Sequence, residues 1–240
     1  MARSLRLICL ALWLCAAAPS RADSWAAPVV TEAFSGSRGH FVRITPGKSL
    51  GDTFGFAGSA KGPYAAAEFY ARQPDRSYRL MHSATLLNPV APVRFFVSND
   101  GRLATVDNWH NAGFGKVVAI YDPAGKLVKA YELADLFPPA AVKAMPHSVS
   151  SIHWRGEAAY VREDQRTLYV HAANEGGFLF GLETGRFTYC ENRQGKQRCR
   201  NGNAADELVV RHRSIILSPE CQASSPLALR QRCLPWWFSQ

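Results

Sequence analysis

A pattern of polar turns and short β-favouring runs, repeated along the chain, constrains this sequence most. Residues 37–44, 98–106 and 162–170 look alike: each is a polar turn, then a basic or polar residue, then a β-rich run. In the middle copy Asn99-Asp100-Gly101 is a strong turn signal, because Gly supplies positive φ and Asn and Asp tolerate it. From Gly39 to Gly101 is 62 residues, and from Gly101 to its counterpart Gln165 is 64. A hairpin follows each copy. The first has runs at 67–70 and 78–80 around Pro74-Asp75-Arg76. The second has runs at 117–121 and 127–131 around Asp122-Pro123-Ala124-Gly125. The third has runs at 178–182 and 187–189 around Glu183-Thr184-Gly185. Helical periodicity is weak, and the best candidates are the short stretches 133–137 and 139–144, the second bounded by Pro138 and Pro146.

Short antiparallel strands at regular spacing define an all-β domain. A β-sandwich is one solution. A radial arrangement fits the repeat better, since a four-stranded blade equals two hairpins. Val97-Ser98-Asn99-Asp100-Gly101-Arg102, followed by Val118-Ala119-Ile120-Tyr121-Asp122-Pro123-Ala124-Gly125-Lys126-Leu127-Val128, resembles the blade pattern of secreted bacterial β-propeller repeat proteins of the NHL and YVTN types. The resemblance covers roughly residues 30–190. It implies a Ser-x-Asp-Gly turn leading into one strand and an Asp-x-x-Gly turn joining the outer two. The period of about 63 residues is longer than the 40–50 of common blades, and three copies are fewer than the usual four to eight. The expectation is therefore a small or incomplete propeller-like β-meander. A fourth blade would be built from an N-terminal strand at 28–34 and a C-terminal strand at 207–217, closing the ring and removing exposed edges. Residues 88–92 (Asn-Pro-Val-Ala-Pro) read as a rigid link into the next blade, with a cis proline admissible.

The first 22 residues read as a secretory leader. Arg3 and Arg6 precede an apolar run at 7–18 too short to span a bilayer comfortably, and Ser20-Arg21-Ala22 places cleavage after Ala22. The expected location is periplasmic or secreted. Arg3, Arg6 and Arg21 leave with the leader, so 25 basic residues stand against 19 acidic ones, a net charge of +6. A hydrophobic content of 47% excludes a disordered chain. Cys190, Cys199, Cys221 and Cys233 remain, an even number that reads as two disulfides in an exported chain. Of three connectivities, Cys190–Cys199 and Cys221–Cys233 are preferred, because each closes a short polar loop. Eight and eleven intervening residues do not suit the close pairs of a zinc site. The expected division is a leader (1–22), a β-repeat domain (23–189) and a Cys-containing C-terminal extension (190–240) that packs its Trp236-Trp237-Phe238 end on the domain. Arg193, Lys196, Arg198, Arg200, Arg211 and Arg213 cluster in that extension. The plainer reading is a soluble basic protein; if the cluster marks a partner, that partner is an unknown protein or a cell-surface polyanion or saccharide rather than nucleic acid, which would want aromatics interleaved with the charges. No membrane span is expected after leader removal.

Two segments hold the residue types that chemistry needs. Residues 107–115 place Asp107, Asn108, Trp109, His110 and Asn111 before a Gly-Phe-Gly exit, more polar equipment than a plain connection requires. Asp107 and His110 would share a proton, and Trp109 would stack on a sugar or another planar ligand. The plainer alternative has Asp107 and Asn108 bonding the loop backbone and Trp109 filling the core. The second segment, 146–154, adds His147, His153 and Trp154. Three imidazoles with Asp107 would suit a divalent ion, Ca²⁺ or Zn²⁺. In a strand, however, His147 and His153 stand about 20 Å apart unless the chain bends, so no cofactor is assigned. Two functions follow. The favoured one is an exported, non-catalytic binding or scaffold module presenting the loops at one end of its sheets to a ligand or protein. The alternative, which the propeller resemblance implies, is a small periplasmic hydrolase of lactonase type with a His/Asp or metal site in the funnel.

Overall fold

The computed structural model describes residues 25–173, 176–193 and 196–201. The expected leader, the Cys221–Cys233 pair, the strand at 207–217 and the aromatic end lie outside them. Among the described residues thirteen strands form three antiparallel meanders. Sheet 1 is β1 (Thr31–Phe34), β2 (His40–Thr45), β3 (Ala66–Arg72) and β4 (Tyr78–Thr85). Sheet 2 is β5 (Pro92–Val97), β6 (Leu103–Asn108), β7 (Val118–Tyr121) and β8 (Leu127–Tyr131). Sheet 3 is β9 (Arg155–Arg162), β10 (Thr167–Ala172), β11 (Gly176–Gly181), β12 (Phe187–Arg193) and β13 (Lys196–Asn201). The all-β expectation holds, and the two short α-helices among the described residues coincide with the expected stretches, α1 at Leu133–Leu136 and α2 at Pro139–Ala144.

The sheets stack face to face. Alternation along β6 and β7 sends Leu103, Ala119 and Tyr121 toward sheet 1, where they meet Val42, Ile44, Ala67 and Phe69. The intervening Ala104, Val106, Val118 and Ile120 meet Leu168, Val170, Phe178 and Phe180 of sheet 3. Burial on both faces is why β6 and β7 read as continuous apolar runs instead of alternating ones. The first strands draw together, β1 and β2 against β5, and β5 against β9. There the Arg94 guanidinium donates to the carbonyls of Glu157 and Ala159.

Equivalent turns do equivalent work. In the β1–β2 and β5–β6 turns Asn99 Oδ1 accepts the Ser37 N–H at 2.7 Å, and the Glu163 carboxylate of the β9–β10 turn accepts the Asn99 N–H at 2.9 Å. The repeat is thus stitched sheet to sheet. In the β7–β8 and β11–β12 turns, Gly125 (φ +80°) and Gly185 (φ +65°) each lie against the preceding sheet. A Cβ there would come within 2.6 Å of Ala84 and Lys129 respectively, so both conformation and space demand glycine.

Three expectations change. The left-handed residues matching Gly101 are Arg38 (φ 56°) and Arg166 (φ 49°), one position away from Gly39 and Gln165. β1 completes sheet 1 through its pairing with β2, and so does not contribute to a fourth blade. Pro89 and Pro92 follow trans peptide bonds, since the described residues contain no cis bond. The expected Cys190–Cys199 disulfide is present, across directly opposed positions of β12 and β13. β12 runs through position 190, so sheet 3 continues into the basic segment.

Candidate functional site

Tight turns close one end of the sheets, and long connections gather at the other: residues 46–65, 86–91, 109–117 and 132–154. The first of these folds on itself. Gly51 N–H donates to Ala60 O and Lys48 N–H to Pro63 O, while Ser49 N–H donates to Pro89 O, docking the loop on the link between sheets 1 and 2. Inside it the Asp52 carboxylate takes Lys61 Nζ at 2.5 Å and the Ser49 hydroxyl at 2.6 Å. The Lys61 ammonium, then the Ser49 hydroxyl, hold Asp52 below the usual carboxylate range. Burial, and next the charge of Asp52, raise the Tyr64 phenol.

Asp107 organises the second loop. Its φ of 60° turns the chain out of β6, a conformation Asp accepts more readily than most residues. The carboxylate is completely buried. Oδ1 accepts Gly113 N–H at 2.9 Å and Trp154 Nε1–H at 2.7 Å, while Oδ2 accepts Arg155 Nε–H at 2.6 Å. One side chain therefore ties β6, the 109–117 loop and the start of β9 together. Asn108 does similar work: its Nδ2 donates to the carbonyls of Phe114 and Lys116, and its Oδ1 accepts Asn88 Nδ2–H at 2.7 Å. Asn111 Nδ2 donates to Phe54 O at 3.1 Å, joining the second loop to the first.

The remaining expected residues separate. Trp109 Nε1 donates to Ala26 O. The His110 ring sits among aromatics, with centroids 4.7 Å from Phe56, 5.5 Å from Trp109 and 5.9 Å from Trp25, and its Nδ1 is buried without a partner among the described residues. Asp107 is thus spent on Gly113, Trp154 and Arg155, and the proton sharing expected with His110 is not made. Trp154 is entirely buried among Phe137 and Phe178, which removes it from any contact surface. His147 and His153 are exposed. The chain folds back between them, with His147 bridged to Ile152, so the separation of an extended strand does not apply. Among the described residues no three His, Cys, Asp or Glu side chains are grouped to hold a metal ion.

What the loops enclose is a cleft of about 250 Å³ between sheets 1 and 2. Phe54 and Phe114 stack in its wall, ring planes 7° apart and centroids 4.4 Å apart, with Phe54 57% exposed. Leu87 and Pro89 add apolar surface, and Asp52, Asn108 and Asn111 add polar groups. Lys116 and Glu132 pair at 2.7 Å on its rim. Sequence reasoning reached Asn108 and Asn111 but missed Asp52, Phe54, Phe114 as a ring, and Glu132. The available signal was symmetry: Phe54-Gly55-Phe56 and Gly113-Phe114-Gly115 both set aromatic rings beside a glycine.

No known protein family matches the chain, and no curated protein matches it. A solved structure, a periplasmic gluconolactonase of Pseudomonas aeruginosa, is similar at 13% identity with a TM-score of 0.37. The match covers 77% of this chain and 58% of that one, so the chain spans less than two thirds of the similar structure. No helix among the described residues is long and apolar enough to cross a membrane.

Proposed function

We propose that this chain is an exported binding module that seats a saccharide unit in the cleft between the 46–65 and 109–117 loops. The stacked Phe54–Phe114 pair carries the reading: a ring left 57% exposed inside a concavity offers its face to the apolar face of a sugar. The Asp52 and Glu132 carboxylates beside it keep acceptor lone pairs beyond those engaged by Lys61 and Lys116, and these suit hydroxyls. The cleft, at about 250 Å³, lies just below the usual range for drug-sized ligands, a scale that suits a single sugar unit. Asp107 and Asn108 hold the 109–117 wall, and Asn111 ties it to the 46–65 wall through Phe54 O, a supporting part in which preorganisation favours binding.

Titration calorimetry against a panel of neutral and acidic mono- and disaccharides tests this. Binding that weakens about tenfold in Phe54→Ala, with unchanged thermal unfolding, supports the reading; that loss corresponds to about 1.4 kcal/mol. Binding indifferent to Phe54→Ala, or no binding across the panel, refutes it. Turnover of an aldonolactone above the buffer rate would replace it with the hydrolase alternative.

A further inference from the structure

We propose a second site, a groove between the outer strands of sheets 2 and 3 that binds a linear acidic polysaccharide. A cleft of about 650 Å³ opens there, lined by Lys129 and Tyr131 of β8 and by residues 184–188. None of its lining residues is acidic, and Lys129 and Arg186 both belong to it. Among the described residues neither cation has an ion-pair partner, because the nearby Glu183 faces Arg166 at 3.6 Å instead. Lys129 Nζ rests 5.7 Å from the Tyr131 ring centre. Thr184 supplies a hydroxyl at the lip, its Oγ1 accepting Arg186 N–H.

The register of sheet 3 extends the charge. Phe187 and Tyr189 lie on the face of β12 that packs toward sheet 2. Tyr189 is opposite Arg200, Glu191 opposite Arg198, and Arg193 opposite Lys196. Directly opposed residues share a face, so positions 193, 196, 198 and 200, each Arg or Lys in the sequence, fall by register on the same face of the β12–β13 pair as position 189. Alternate positions of a strand are roughly 7 Å apart, so the register spaces these basic positions regularly along the pair. A polymer with regularly spaced anions matches a row; a single small anion does not. The aromatic rings argue against a nucleic acid. Tyr131 is 5% exposed with Lys129 over its ring, and Phe187 packs against Phe178 and Phe180, so the cleft gives a base little ring face to stack on.

Heparin is the probe, followed by salt-gradient elution and titration of the full chain. Lys129→Glu/Arg186→Glu should weaken heparin binding at least about tenfold, from two lost ionic contacts and their reversal. Arg72→Glu/Arg79→Glu, an equal charge change on exposed residues of sheet 1, should leave most of the affinity. Phe54→Ala should not alter it, which keeps this site distinct from the saccharide cleft. Equal losses in the two charge-reversal variants, or no loss in Lys129→Glu/Arg186→Glu, would overturn the proposal. So would oligo-dT binding as tightly as heparin with the same dependence on Lys129 and Arg186.

Discussion

Replacing Asp107 by Asn keeps the shape of the side chain and its tolerance of a left-handed backbone, and removes only the charge and one acceptor. The carboxylate accepts from Gly113, Trp154 and Arg155, with no exposed surface, and Arg155 itself is 12% exposed. An amide cannot satisfy all three donors. If its oxygen keeps Gly113 and Trp154, its NH₂ faces Arg155 Nε–H; if it flips, the NH₂ faces the other two. Breaking one side of a buried ion pair typically costs about 3–5 kcal/mol, a large share of the roughly 5–15 kcal/mol that holds a domain together. At about 2–4 °C per kcal/mol for a chain of this size, the melting temperature should fall by roughly 6–20 °C. Chemical denaturation of the wild type, Asp107→Asn, Arg155→Met and the double variant gives a full cycle. The double variant removes the stranded guanidinium, so it should lose less than the two single variants added together, with a coupling of about 1–3 kcal/mol. A loss below about 1 kcal/mol in Asp107→Asn, or strict additivity with Arg155→Met, would refute this account of the site's support.

Other perturbations probe other parts. Burial raises the Tyr121 phenol to about 12, where it accepts the Leu87 N–H. Its folded value lies above the ordinary value of 10, so its contribution is intact below pH 10 and is lost as pH rises toward 12. Tyr121→Phe should flatten that alkaline decline in unfolding free energy while costing about 1–3 kcal/mol at neutral pH. Cys190→Ser/Cys199→Ser, or reduction, should lower stability by about 2–3 kcal/mol in denaturant titrations, the loop-closure value for a short ring. Gly113→Ala should cost about 1–3 kcal/mol or more, because φ is +82° and the new Cβ would stand 2.7 Å from Ile152. Protease sensitivity at 147–152 should rise with it. An unchanged digestion pattern would argue that the two loops are not docked.

The hairpins were legible because their turns are written locally. Asp122 accepts the N–H groups of Ala124 and Lys126 within its own turn, and glycine supplies the left-handed step. β9 was harder: Arg155-Gly156-Glu157 opens it, and only Ala159 along the strand is fully buried, so no alternation marks it. β1 is legible as a strand but its sheet is not, since its partner β2 is decided by pairing and not by its own four residues. At the site, the sequence drew attention to residues 107–115 and left their use open between chemistry and support. The deciding partners are remote. Arg155 is 48 positions from Asp107, and Asn88 is 20 from Asn108. The cleft residues Asp52 and Phe54 sit in a Gly-rich stretch whose fold depends on docking at Pro89 and Val90.

Sheet 2 is a party wall. Leu103 and Ala104, adjacent in sequence, belong to different cores, so damage to β6 reaches both neighbours at once. A fragment ending after Tyr131 would leave Ala104, Val106, Val118 and Ile120 facing water, and one beginning at Arg155 would do the same to Leu168, Phe178 and Phe180. Neither half is self-sufficient. The described sheets should therefore melt in one transition, with no stage at which one flank stands while the other has dissolved.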